Sequence, residues 1–135
     1  MRFAHTNVRV RDIDASRRFY GALGFEPRGR LQFDGAYNVY LGLPGDGDTL
    51  ELTVNEGRDE AYDLGNGYGH LALQVDDLDG LLAGLAEQGI EPEKPPYAPG
   101  GREEFRICFV QDPDGYRIEL IDGVFQTPQD PDPDH

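Results

Sequence analysis

The chain has 135 residues, a length that suits one ordinary domain or two small fused modules. Its net charge of −14 argues against nucleic acid or an anionic membrane surface as a partner. The one cysteine, Cys108, allows no internal disulfide, and no apolar run approaches the ~20 residues of a membrane span, so the chain reads as cytoplasmic.

Phe3 to Val10 alternates polar and apolar residues, as a half-buried strand does. Asp12 or Asp14 can cap a helix running through Leu23, with Gly24 as its left-handed stop. Phe25–Phe33, Ala36–Leu43 and Thr49–Val54 read as strands separated by FDGA and PGDGD turns. Residues 55–69 form a polar, Gly-rich connection. The order then repeats. Strand His70–Val75 leads to a helix capped near Asp77 and stopped by Gly89. A short strand near Ile90 follows, then the loop Pro95–Gly101. Phe105–Gln111 and Tyr116–Ile121 make a hairpin around the DPDG turn at Asp112–Gly115. Cys108, in the apolar run RICFVQD, reads as a small core residue. Each half is β-α-β-β-β, which makes the fold α+β with two modules, residues 1–58 and 66–123. The polar, Pro-rich tail, residues 124–135, cannot bury apolar surface and is expected to be disordered.

The halves are related in sequence as well as in order. At an offset of 65, residues 5–27 (HTNVRVRDIDASRRFYGALGFEP) align with 70–92 (HLALQVDDLDGLLAGLAEQGIEP) without a gap. The pairs His5/His70, Val10/Val75, Asp12/Asp77, Asp14/Asp79, Gly24/Gly89, Glu26/Glu91 and Pro27/Pro92 are identical. Glu51 in TLELTVN and Glu119 in YRIELID stand in matching contexts at an offset of 68.

Side chains alternate between the faces of a strand. His5, Asn7 and Arg9 therefore share a face, as do Glu51, Thr53 and Asn55. In the second half His70, Ala72 and Gln74 share one, and Arg117, Glu119 and Ile121 another. The opposite, apolar sets must meet the helices to form the core. The remaining face collects two histidines, two glutamates, Arg9, Asn55 and Arg117. A lone histidine at a strand start is ordinarily a surface residue, and a lone strand glutamate is ordinarily solvated. All four at repeat-equivalent positions reverse that reading and make a 2-His-2-Glu metal site of His5, Glu51, His70 and Glu119. With no thiolate, the set suits a five- or six-coordinate Ni(II), Co(II), Zn(II), Mn(II) or Fe(II) ion with open positions. It is unlike a closed Cys-rich zinc site. An ion with open positions can act as a Lewis acid toward substrate oxygens.

The segments HTNVRVRDIDASRRFYGALGF, LELTVNEGRDEAYDLGNGYGHLALQVDD and FVQDPDGYRIELI resemble glyoxalase I (lactoylglutathione lyase) of the vicinal-oxygen-chelate superfamily. The resemblance runs from about residue 1 to residue 121. It implies paired βαβββ modules whose mixed sheets form cups around the metal. It implies the same four ligands, with nickel as the first choice of ion and zinc or cobalt as alternatives. It also implies a homodimer with sites at the subunit interface, each taking one His/Glu pair from each subunit. The reaction implied isomerises the hemithioacetal of methylglyoxal and a low-molecular-weight thiol, glutathione or an analogue, to an S-lactoyl thioester. By the same carry-over Glu119 is the principal catalytic base and Glu51 the second, while Arg9 and Asn55 bind the γ-glutamyl end of the thiol. A bound cation depresses the basicity of its carboxylate ligands, so one glutamate is expected to loosen when substrate binds.

The chain departs from the family's pattern in the loop PPYAPGGREEFRICF. Proline and glycine stand there in place of the cation that holds the glycyl carboxylate, and Arg102 and Arg106 are the nearest substitutes. Glu56 stands where a tryptophan is usual. These departures leave the metal chemistry intact and the thiol open, with mycothiol and bacillithiol as other candidates. Two further readings stand beside glyoxalase I. One is another metal-dependent member of the superfamily, such as a thiol-S-transferase, epimerase or dioxygenase. The other is a non-catalytic small-molecule or drug-binding protein, against which the intact quartet argues.

Overall fold

Asp12 and Asp77 start the two helices by the same local chemistry. Asp12 Oδ1 accepts from the backbone N–H of Asp14 and of Ala15 at 3.1 and 3.2 Å. Asp77 Oδ1 accepts from that of Gly80 at 3.0 Å. Each satisfies N–H groups that have no partner inside the helix. The helices run Ile13–Ala22 (α1) and Leu78–Glu87 (α2). Just beyond them the chain turns at Gly24, with φ of 102°, and at Gly89, with φ of 79°, where a Cβ would be strained. The offset of 65 seen in sequence thus carries over to caps, helices and stops.

The computed structural model describes residues 1–133. Its strands are β1 (Thr6–Arg9), β2 (Glu26–Gln32), β3 (Ala36–Gly42), β4 (Leu50–Asn55), β5 (Leu71–Val75), β6 (Ile107–Gln111) and β7 (Arg117–Asp122). The chain divides into two compact units. One holds Met1–His70 with Gln111–Arg117, and the other holds Leu71–Val110 with Ile118 onward.

In the first unit the strands form one sheet in the order β1-β4-β3-β2. β1 pairs with β4 in parallel, and the other neighbours are antiparallel. Val8, Val10, Phe19, Tyr20, Phe25, Val39, Leu41, Leu50 and Leu52 are buried as the core. Full burial of one such aliphatic or phenylalanine side chain contributes about 1.5–3 kcal/mol. Leu50 and Leu52 flank Glu51 in sequence. A slip of one residue would expose both and bury the carboxylate among helix side chains, so their burial sets which way Glu51 points.

β1 is shorter than the expected Phe3–Val10, and Phe3 is exposed. Thr6 and Val10 still bond through their N–H groups to the carbonyls of Thr49 and Thr53, both at 2.9 Å. His5 therefore sits at the lip of the strand, one residue before it begins.

Tyr20, fully buried on α1, donates its hydroxyl to Asp112 Oδ2 at 2.6 Å. The other oxygen of Asp112 accepts from the N–H of Asp114 and of Tyr116, both at 2.9 Å, and holds the DPDG turn. Burial raises the Asp112 carboxyl above its usual range, against the pull of these hydrogen bonds. Such a carboxyl carries a stability penalty that grows as pH rises from its unfolded value through its folded one. Tyr20→Phe removes one hydrogen bond that holds the folded value down, and so raises it further. The variant should lose about 1–3 kcal/mol at neutral pH, and less in acid where the carboxyl is protonated. Urea unfolding at two pH values checks this; an equal loss at both would contradict it.

In the second unit the order is β5-β7-β6, with β5 and β7 parallel. Leu78, Leu85, Cys108, Val110, Ile118 and Leu120 are buried, and Cys108 is the core residue that its sequence context predicts. Ile107, Phe109 and Ile121 form a separate cluster, with Tyr97 packed against it. No regular strand forms near Ile90. The segment instead makes isolated backbone bonds, Glu93 N–H to the Phe109 carbonyl at 2.8 Å and a reciprocal pair between Tyr97 and Ile107 at 2.9 Å. Pro92, Pro95 and Pro96 have no N–H to give, so a continuous ladder cannot form there.

Residues 124–133 carry neither helix nor strand. The Phe125 ring lies 5.5 Å from that of Phe105, and Asp130 pairs with Arg102 at 2.6 Å. The expectation for the tail also covers Asp134 and His135, which lie outside the described residues. Among the described residues no helix is long and apolar enough to cross a membrane.

Candidate metal centre

The parallel pairing of β1 with β4 sets Asn7 opposite Glu51. His5 stands two residues before Asn7, on the same side of the strand. Its Nε2 lies 3.3 Å from Glu51 Oε2. The imidazole is partly exposed, while the carboxylate side chain is only 12 % exposed. β5 and β7 repeat this register, with Ala72 opposite Glu119, and His70 stands two residues before Ala72. His70 is exposed and Glu119 half-buried. Among the described residues no group of three or more His, Cys, Asp or Glu side chains converges as a metal-holding cluster. Each sheet instead carries one His/Glu pair in an equivalent position.

The His5–Glu51 pair fits a divalent ion. Two donors each about 2.1 Å from one ion, in neighbouring positions, stand about 3 Å apart. The observed separation is close to that, and the two atoms are an imidazole nitrogen and a carboxylate oxygen, borderline and hard donors that suit such ions.

Glu51 is held by more than its histidine. Asn7 Nδ2 donates to its Oε1 at 2.8 Å, and Asn38 Nδ2 donates to its Oε2 at 3.1 Å. Thr53 ties the two amides together. Its hydroxyl accepts from Asn7 Nδ2 and donates to Asn38 Oδ1, both at 2.7 Å. Asn38 is 8 % exposed and Glu51 9 %, so the bond between them is sheltered from water, while Asn7 is exposed. The Tyr40 ring stands edge-on to the His5 ring, with centroids 5.9 Å apart. The Asn38 hydrogen bond pulls the Tyr40 hydroxyl down. A hydrogen bond with Glu51, together with partial desolvation and the Glu51 charge, outweighs it and holds the hydroxyl above the ordinary tyrosine value.

Arg9 and Asn55 also meet. Arg9 Nη1 donates to Asn55 Oδ1 at 2.9 Å, and the Tyr62 hydroxyl donates to the same oxygen at 2.8 Å. The Arg9 backbone N–H donates to the Tyr116 hydroxyl at 3.2 Å. Arg102 and Arg106 are both engaged by acids. Arg102 bonds Glu104 at 2.7 Å and Asp130 at 2.6 Å. Arg106 bonds Asp79 at 2.7 Å and Asp122 at 3.2 Å.

Asn38 and Tyr40 escaped the sequence reading. The signal was present: Ala36, Asn38 and Tyr40 alternate with Tyr37, Val39 and Leu41 along β3. The antiparallel register then sets Tyr40 opposite Glu51 and Asn38 opposite Thr53. Only the polar side of that alternation had to be read against the strand that follows it.

The chain is similar to known proteins over nearly its whole length. The family described as "Glyoxalase/Bleomycin resistance protein/Dioxygenase superfamily" matches residues 2–120. A "Probable lactoylglutathione lyase" of Synechocystis sp. is 40 % identical over 125 residues, covering 87 % of this chain and 92 % of that protein. The lactoylglutathione lyase of Salmonella typhimurium is 38 % identical over 130 residues, covering 90 % and 93 %. Among solved structures, glyoxalase I from Zea mays superposes with a TM-score of 0.82 at 31 % identity over 92 % of this chain. This chain spans only 45 % of the maize chain. The trypanothione-dependent glyoxalase I of Leishmania major gives 0.75 at 33 % identity, covering 90 % of this chain and 86 % of that one. With two repeat-equivalent His/Glu pairs on two small sheets, and these matches across nearly its whole length, the chain belongs to the glyoxalase/bleomycin resistance protein/dioxygenase superfamily.

Proposed function

We propose that this chain is a metal-dependent glyoxalase I-type lyase. It isomerises the hemithioacetal of methylglyoxal and a low-molecular-weight thiol to an S-lactoyl thioester. The observation that carries the reading is the His5–Glu51 pair, 3.3 Å apart, in a strand register that recurs around Glu119. Similarity to lactoylglutathione lyases over most of both chains supports it.

Two protein donors are too few for a catalytic divalent site, which uses three or more. His5 and Glu51 of one subunit are completed by His70 and Glu119 of the partner subunit, so the working form is a homodimer. The modules are residues 1–58 and 66–123. Nickel is the first choice of ion, with zinc and cobalt next. The bound ion supplies Lewis acidity that neutralises charge growing on the substrate oxygens.

The chain's own residues do the rest. Glu119 takes the proton from the carbon that bears sulfur and returns it to the neighbouring carbonyl carbon, while the hydroxyl proton of the first carbon ends on the oxygen of the second. The product is an isomer, so no electron or atom is gained or lost. The Arg9 guanidinium, oriented by Asn55, binds the carboxylate at one end of the thiol. At the other end of the thiol, Arg102 and Arg106 would first have to leave the acids they pair with. That favours a thiol whose far end is not a carboxylate. The reaction runs in the cytoplasm, where such thiols are kept reduced.

Metal content of protein purified without a tag or chelator, followed by methylglyoxal with glutathione, mycothiol and bacillithiol in turn, tests the proposal. At least one thiol should give a thioester at a rate that chelation abolishes and nickel restores. A metal-replete protein that isomerises none of the adducts would hand the site to another metal-dependent activity of the superfamily.

A further inference from the structure

The two sheets present the same backbone around their glutamates and line it with opposite chemistry. In the first sheet Asn7, Asn38, Tyr40 and Thr53 surround Glu51. In the second, Ala72 stands opposite Glu119 just as Asn7 stands opposite Glu51. The β6–β7 hairpin bonds Asp112 N–H to the Tyr116 carbonyl and Asp122 N–H to the Arg106 carbonyl. That register sets Phe109 opposite Glu119 and Ile107 opposite Ile121. Asn7, Asn38, Tyr40 and Thr53 thus have Ala72, Ile107, Phe109 and Ile121 as their counterparts. None of these four side chains can donate a hydrogen bond, and three of them pack together as a buried cluster.

We propose that Asn38 and Asn7 are positioning residues that fix Glu51 as a permanent metal ligand. The inference rests on the metal reading above and not on the identity of the substrate. Both oxygens of Glu51 accept from neutral amides. Those amides are cross-linked through Thr53, and the more buried of them has its carbonyl end satisfied by the Thr53 hydroxyl. A carboxylate so tethered cannot swing off an ion and reach a carbon without breaking hydrogen bonds, one of them buried. Partners of this kind orient ligands, and their loss typically weakens metal binding ~10- to 100-fold.

Two substitutions copy the second sheet's lining into the first. Asn7→Ala reproduces Ala72 at an exposed position, where folding is not at risk. Asn38→Ile reproduces Ile107 at a buried one. Calorimetric titration with nickel should show affinity falling ~10- to 100-fold in Asn38→Ile, and in the same direction for Asn7→Ala. Each is then repeated in a Glu51→Gln background, closing a double-mutant cycle. If the asparagines act through the carboxylate, their effect should shrink there to less than about 3-fold, within ordinary non-additivity. A structural role would cost as much in either background. Parent-like affinity in Asn7→Ala and in folded Asn38→Ile overturns the proposal, and so does a loss that persists undiminished with Glu51→Gln. Should Asn38→Ile fail to fold, the Asn7→Ala cycle decides alone. A protein that passes this test but isomerises no adduct sinks the lyase reading and leaves the present one standing.

Discussion

Glu119→Gln should cut turnover of the methylglyoxal–thiol adduct at least ~100-fold while the protein keeps part of its metal. Glutamine has the same length and retains a carbonyl oxygen able to coordinate an ion. It lacks the basic oxygen that must accept the proton. Positioned general bases typically contribute ~100- to 10,000-fold, which sets the floor of the expected loss. Glu51→Gln should cost less turnover, because hydrogen bonds from Asn7 and Asn38 hold Glu51 in place. Metal content has to be measured beside the rate, so that a lost ion is not mistaken for a lost base. A fully metallated Glu119→Gln protein with near-parent turnover would make Glu119 a ligand and nothing more.

Combining two inactive chains is expected to restore activity. If each site takes its pairs from two subunits, a purified heterodimer of His5→Ala and Glu119→Gln chains holds one site with both lesions and one with neither. It should recover about half the parent turnover per dimer, a consequence of two-fold symmetry alone. Sites built within single subunits would each carry one lesion, and mixing would then restore almost nothing. The His5 lesion suits the experiment because its ring lies at the lip of β1, outside the buried core.

Much of this was readable in the sequence because the repeat is local. Asp12 and Asp77 cap helices 65 residues apart, and Gly24 and Gly89 stop them, through contacts within a few residues of chain. Alternation alone assigned Leu50 and Leu52 to the core and Glu51 to the other face. What escaped depended on long-range register. Asn38 reaches Glu51 only because β3 pairs with β4 at one particular offset. The second module's missing strand is hidden from local pattern, because Pro92, Pro95 and Pro96 act there as absent donors and not only as turn residues. Ile121 was assigned to a polar face by alternation, whereas it belongs to an apolar cluster that includes side chains from β6.

Those prolines have a consequence for how copies of the chain can meet. β6 is the outer strand of its sheet, and an outer strand invites another chain to add itself by backbone pairing. Here the Glu93–Tyr97 segment occupies that edge through a few bonds of its own. Pro95 and Pro96 leave that segment poor in N–H groups. The edge is occupied enough to stop strand addition and too irregular to pass the ladder on. An incoming strand at that edge meets pairing groups already taken and few N–H donors beyond them, which disfavours open-ended stacking there.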